Sequence, residues 1–197
     1  MYAVVITGSI ATGKSTVSAY IQQLGYPLLD TDVLARVVVE PGHQGLAQLV
    51  ERFGPEILQA DGQLDRAALG EMLFGNPAVQ AEVNAILHPL IAEEVQRGLA
   101  RLEAAGEPLV FIDVPLYYET KADFPGDEVW VVYTPEAMQL ERLIERNHLT
   151  EAQARSRMAS QLSIEVKRTY ADVVIDNSGS LTQTYQQVDE QIQRIQT

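Results

Sequence analysis

Near the start of the chain, Gly8-Ser9-Ile10-Ala11-Thr12-Gly13-Lys14-Ser15-Thr16 sets two glycines, a lysine and hydroxyls at the spacing G-x-x-x-x-G-K-[ST]. That combination suits the grip of a polyphosphate. The glycines let the backbone curl so that successive N–H groups turn toward an anion. A helix starting behind them adds the positive end of its dipole. In this reading Gly8, Ala11, Thr12, Gly13, Lys14, Ser15 and Thr16 surround the phosphates of a nucleoside triphosphate. Lys14 reaches the β- and γ-phosphates, and the Ser15 hydroxyl ligates Mg²⁺. The flanks agree: Val4-Val5-Ile6-Thr7 reads as a buried strand, and Val17, Tyr20, Ile21 and Leu24 have helical spacing.

A hydroxyl attacking a γ-phosphoryl group must give its proton to a positioned base. Asp32, just past the second apolar run, is the candidate; Asp30 and Asp32 are also favoured caps for a helix starting at Val33. Asp113 closes Leu109-Val110-Phe111-Ile112 and suits a carboxylate that holds Mg²⁺ through water, or an ordinary turn starter. Val114 stands where motor-type ATPases carry a water-activating Glu, which favours transfer over hydrolysis.

Six of the 14 Lys and Arg residues fall between positions 142 and 168. Arg142 and Arg146, four apart, share a helix face. They would contact ATP from a mobile flap that neutralises developing charge and excludes water. Arg155, Arg157, Lys167 and Arg168 follow, and the competing reading pairs these cations with Glu141, Glu145, Glu151 and Glu165 on a solvated surface. Arg36, four residues after Asp32, would hold an anionic acceptor. His88 would do the same, unless it is a structural hydrogen-bonding group. Tyr117 and Tyr118 either line the acceptor pocket or pack. The three His residues are scattered, so the metal expected is Mg²⁺ arriving with the nucleotide.

These groups need a frame. Apolar runs at 2–7, 27–29, 109–112, 129–133 and 173–175 read as strands of a parallel sheet, with helical patterns between them. The polar candidates follow the runs directly, and an open parallel sheet binds ligands beyond the carboxyl ends of its strands. About 80 residues between Leu29 and Leu109 carry turn signals and helical segments, the longest at 78–104, and read as a helical insert. The net charge of −13 argues against a nucleic-acid or anionic-membrane surface. The absence of Cys removes disulfides, thiolate metal sites and a Cys nucleophile. With no apolar run of membrane-spanning length and no basic leader, a cytoplasmic protein is expected.

Taken together, these residues resemble the dephospho-coenzyme A kinase family, which completes coenzyme A synthesis. The resemblance rests on the segment 6–16, Asp30-Thr31-Asp32 with Ala35-Arg36, Val39-Glu40-Pro41-Gly42, Phe53-Gly54 and Asp61-Gly62-Gln63-Leu64-Asp65-Arg66. It continues in Leu87-His88-Pro89-Leu90-Ile91, Asp113-Val114-Pro115-Leu116, Gln139-Leu140-Glu141-Arg142-Leu143, Arg146, Lys167-Arg168, Ala171-Asp172 and Ile175-Asp176-Asn177-Ser178-Gly179. It implies an α/β fold: a three-layer P-loop NTPase core with a parallel five-stranded sheet, a helical substrate-binding insert and a helical lid. The core would take residues 1–31, 105–140 and 169–197, the insert 32–104 and the lid 141–168. The implied reaction is ATP-dependent phosphorylation of the ribose 3′-hydroxyl of dephospho-coenzyme A. Asp32 would be the base, with Lys14 and Arg142 also catalytic. Arg36, His88 and Tyr117 would meet the acceptor, Arg142 and Arg146 would be lid cations, and Asn177 would lie near the adenine. Ser9 stands where the family carries a second Gly, and Tyr117-Tyr118 replaces an aliphatic or Phe pair. A shikimate-type kinase shares Asp-x-Asp after the second strand, but this insert is too long for it. A GTP-dependent switch would need Asn-Lys-x-Asp, which does not occur.

Overall fold

Five runs of β-branched, aromatic and leucine residues become strands: β1 Tyr2–Gly8, β2 Leu28–Asp30, β3 Leu109–Asp113, β4 Glu128–Tyr133 and β5 Val173–Asp176. Each expected run is a strand, to within a residue or so at its ends. All pairings are parallel, in the order β2-β3-β1-β4-β5. The strand that feeds the glycine-rich loop is therefore central. Val4, Val5 and Ile6 are all 0% exposed, which explains an unbroken apolar run: a strand covered on both faces has no polar side to alternate with.

The computed structural model describes residues 1–120 and 124–197. Its contacts fall into two units, residues 1–30 with 101–197, and residues 31–100. In the first unit, α1 (Lys14–Gln23) and α10 (Leu181–Gln196) cover one face of the sheet. Val17, Ile21, Val188 and Ile192 pack there with Val4, Ile6, Phe111, Trp130, Val132 and Ile175. Each such fully buried side chain contributes about 1.5–3 kcal/mol relative to exposure. Phe111 and Trp130 meet edge to face with centroids 5.5 Å apart. The indole N–H of Trp130 donates to Glu128 Oε1 at 3.0 Å, and Arg194 of α10 pairs with that carboxylate, so the polar end of the indole is satisfied inside the core.

On the other face, Val131 and Tyr133 alternate with Trp130 and Val132 along β4 and pack against Ile164. That residue opens α9 (Ile164–Thr169), and Tyr118 of α6 (Tyr117–Thr120) joins the same cluster. α7 (Glu136–Asn147) and α8 (Glu151–Ala159) occupy the cation-rich stretch. The helix of Arg142 begins at Glu136 and buries Gln139 and Leu143. It leaves the sheet as a packed element directly after β4.

The second unit is helical, as the long interval without strands predicts. It holds α2 (Thr31–Val37), α3 (Gln44–Phe53), a 3₁₀ turn at Pro55–Ile57, α4 (Arg66–Leu73) and most of α5 (Pro77–Ala104). Leu49, Ile57, Val83 and Leu90 are among the residues of its separate core. The turn signals at 41–42, 53–55 and 61–62 fall between helices. The one at 76–77 leads into α5, with Pro77 at its first position, where a missing N–H costs nothing. Among the described residues, no helix is long and apolar enough to cross a membrane.

Candidate active site

β1 ends at Gly8 and α1 begins at Lys14, with residues 9–13 forming the turn between them. A Cβ on Gly8 would stand 2.7 Å from Thr12 Oγ1 and 3.2 Å from the Val132 carbonyl. Gly13 caps α1 at φ 86°, and a Cβ there would strike the Asn177 side-chain amide. Both positions therefore require glycine, for space at the first and for space and backbone conformation at the second. Ala11 adopts φ 62°, a left-handed conformation that costs a residue with a Cβ about 1–2 kcal/mol. Local strain of this kind concentrates where a loop is shaped for a ligand.

Lys14 ion-pairs with Oδ1 of Asp113, whose Oδ2 accepts from Ser18 Oγ at 2.5 Å. Asp113 is 3% exposed at the end of β3, where its Cα pairs with Ile6 on one side and Asp30 on the other. Ser15 is exposed on the first turn of α1. The parallel register thus brings the loop lysine, a hydroxyl and a buried carboxylate to one edge of the sheet. Ser15 and Asp113 offer oxygen atoms, the donor type that Mg²⁺ prefers. Among the described residues no group of three or more His, Cys, Asp or Glu could hold a metal. The donor set fits a cation whose remaining ligands come from a nucleotide.

Other expected residues take different places. Asn177 is 5% exposed and turns its side chain inward: Nδ2 donates to the Thr12 carbonyl at 2.8 Å, and Oδ1 accepts from Thr184 at 3.0 Å. Its side chain braces the loop at the Thr12 carbonyl. Arg142 is held by its surroundings, with Nη1 donating to Thr134 Oγ1 at 3.2 Å and Nη2 to the Asn177 carbonyl at 2.9 Å. Those two bonds anchor it beside the loop. Arg146, one turn later on α7, is exposed and bonds Asn147. Arg155 pairs with Glu151 across one turn of α8, the solvated pairing considered for the cation run. Tyr117 and Tyr118 pack edge to face at 5.1 Å, and Tyr118 also meets Tyr170. Burial pushes the Tyr118 hydroxyl up to about 12, so it stays protonated.

Several loop partners were not singled out for this task by sequence reasoning. Thr134 donates to the Thr12 carbonyl at 3.1 Å. Gln161 accepts from the Ile10 amide, and Lys167 donates to the Gly8 carbonyl. No motif marks Thr134 or Gln161. Lys167 lies inside a run of surface-type charges that disguises its burial. A cleft of about 240 Å³ opens beside the loop, lined by Ser9, Ile10, Gln139, Arg155, Met158 and Gln161 among others.

In the helical unit, α2 begins at Thr31, so Asp32 lies in its first turn and is not a cap before Val33. Asp32 and Arg36 are exposed and one turn apart. A carboxylate early and a cation late both suit the helix dipole. His88 is half-buried on α5, and that burial holds its pKa below the ordinary value.

A parallel sheet whose central strand turns through G-x-x-x-x-G-K-[ST] into a helix, with a buried carboxylate on the neighbouring strand, defines a P-loop kinase core. The sequence matches the family described as dephospho-CoA kinase over residues 2–183. A dephospho-CoA kinase of Listeria monocytogenes is 47% identical over 189 residues, covering 96% of this chain and 94% of its own. A crystal structure from Thermus thermophilus superposes with a TM-score of 0.83 at 31% identity, covering 100% of this chain and 98% of the other. Dephospho-CoA kinase from Campylobacter jejuni superposes at 0.68 with 29% identity, covering 98% and 96%. The chain belongs to the dephospho-CoA kinase family.

Proposed function

We propose that this chain transfers the γ-phosphoryl group of ATP to the ribose 3′-hydroxyl of dephospho-coenzyme A, giving coenzyme A and ADP. The observation that carries the reading is the glycine-constrained turn closing on Lys14 at the end of the central strand, in a chain of this family. Phosphoryl transfer asks the protein mainly for positioning and charge compensation. Amides of residues 8–16 and the Lys14 ammonium hold the triphosphate. Ser15 would ligate Mg²⁺ directly and Asp113 through water, and a bound Mg²⁺ offsets charge on the phosphate oxygens. Arg142, fixed by Thr134 and Asn177, adds positive charge at the nucleotide, with Arg146 beside it.

Asp32 takes the proton of the acceptor hydroxyl as the bond to phosphorus forms. Arg36, His88 and Tyr117 contact the acceptor, the first suited to its phosphate groups. Residues 32–104 serve as the acceptor-binding insert and 141–168 as a lid. The cytoplasm is the compartment of this reading, because ATP is the co-substrate. The test supplies purified protein with ATP and Mg²⁺ and a panel of acceptors: dephospho-coenzyme A, shikimate and nucleoside monophosphates. Phosphorylation of dephospho-coenzyme A alone is expected; transfer only to another acceptor, or hydrolysis indifferent to acceptor, overturns the reading.

A further inference from the structure

The side chain of Lys167, on α9, is 0% exposed. An ammonium is retained in such a place only where it is paired and hydrogen-bonded. Its Nζ donates to the Gly8 carbonyl at 2.8 Å and pairs with Glu119 Oε1 at 2.7 Å. The same Glu119 oxygen accepts the Leu162 amide at 3.0 Å. Two more bonds run alongside: Ser9 Oγ donates to the Leu162 carbonyl at 3.2 Å, and the Ile10 amide donates to Gln161 Oε1 at 2.8 Å. Three consecutive loop residues, Gly8, Ser9 and Ile10, are each bonded to the segment 161–167.

The planar trans peptide gives this a directional consequence. The C=O and N–H of one peptide unit point opposite ways, so a cation fixing the Gly8 carbonyl also fixes where the Ser9 N–H points. Burial lowers the pKa of Lys167, Glu119 opposes that shift, and the neighbouring Lys14 adds to it. Glu119 is the partner that keeps the charge in place.

We propose that Lys167, with Glu119, is a positioning residue for nucleotide binding: it clamps the first half of the phosphate loop to the segment 161–167 and sets the direction of the loop amides. This rests on the kinase reading for its ligand, ATP. In Lys167→Met the side chain keeps its length and loses its charge, which strands the largely buried Glu119; the double variant Lys167→Met/Glu119→Gln removes both charges and is the better tolerated exchange. ATP affinity without acceptor, measured by titration calorimetry, is expected to fall about ten- to a hundredfold, as for a displaced binding group. The KM for ATP should rise in step, with the KM for dephospho-coenzyme A unchanged. Glu119→Gln should shift ATP affinity the same way, and the double variant should be no worse than Lys167→Met, since both act through one clamp.

A folded Lys167→Met protein with wild-type ATP affinity overturns the proposal. If that variant does not fold, wild-type affinity in Glu119→Gln overturns it equally. Wild-type protein that binds ATP but phosphorylates no acceptor defeats the kinase reading instead, and leaves the clamp open to the same calorimetry, which needs no acceptor.

Discussion

Asp32 stands in the first turn of α2, where the helix dipole stabilises a carboxylate whether or not it takes part in chemistry. Kinetics separates the two roles. Asp32→Asn keeps the shape and removes the charge, so a base role predicts near-normal ATP binding with turnover lowered by about 10² to 10⁴. Steady-state assays with calorimetry check this, and unchanged turnover would return Asp32 to a structural part. The residues of the proposed phosphate turn were legible because their types are dictated by backbone geometry: nothing larger than Gly fits at position 8, and position 13 also needs a positive φ. The loop-bracing bonds of Asn177 and Lys167 were not legible, for a shared reason. Sequence reports that a group is polar or charged, but not that strands and helices distant along the chain will bury it behind the loop.

The element scale was more transparent. Continuous apolar runs named the strands because a parallel sheet buried on both faces needs them. The order β2-β3-β1-β4-β5 was not readable, since it depends on which neighbours pair. α10 announces its start with Ser180 and Gln183, which bond reciprocally as a capping box. Ser180→Ala is expected to lower unfolding stability by about 1 kcal/mol, measured by urea denaturation, because α10 covers the sheet core. α5 supplies a titration. The folded pKa of His88 lies below the unfolded value of about 6.5, so the unfolded chain binds the proton more readily. Stability is full above about 6.5 and declines as pH falls toward the lowered folded value. The urea midpoint should drop on acidification, and His88→Gln should flatten that part of the profile.

For the whole molecule, the net charge of −13 means that an anionic ligand is held by local groups against an unfavourable long-range field. In the proposed function Lys14, the loop amides and Arg142 would do this at short range, where screening is weak. The central position of β1 has a further consequence. Val4, Val5 and Ile6 pair with β3 on one side and β4 on the other, while the turn begins only three residues beyond Ile6. Deuterium uptake should therefore change steeply over a very short distance. The β1 amides should exchange only through the largest openings of the protein, and those of residues 9–13 much sooner. ATP should protect the turn and leave β1 as it was. A molecule that concentrates its most rigid and its most responsive backbone side by side can grip a ligand without transmitting the disturbance to its core.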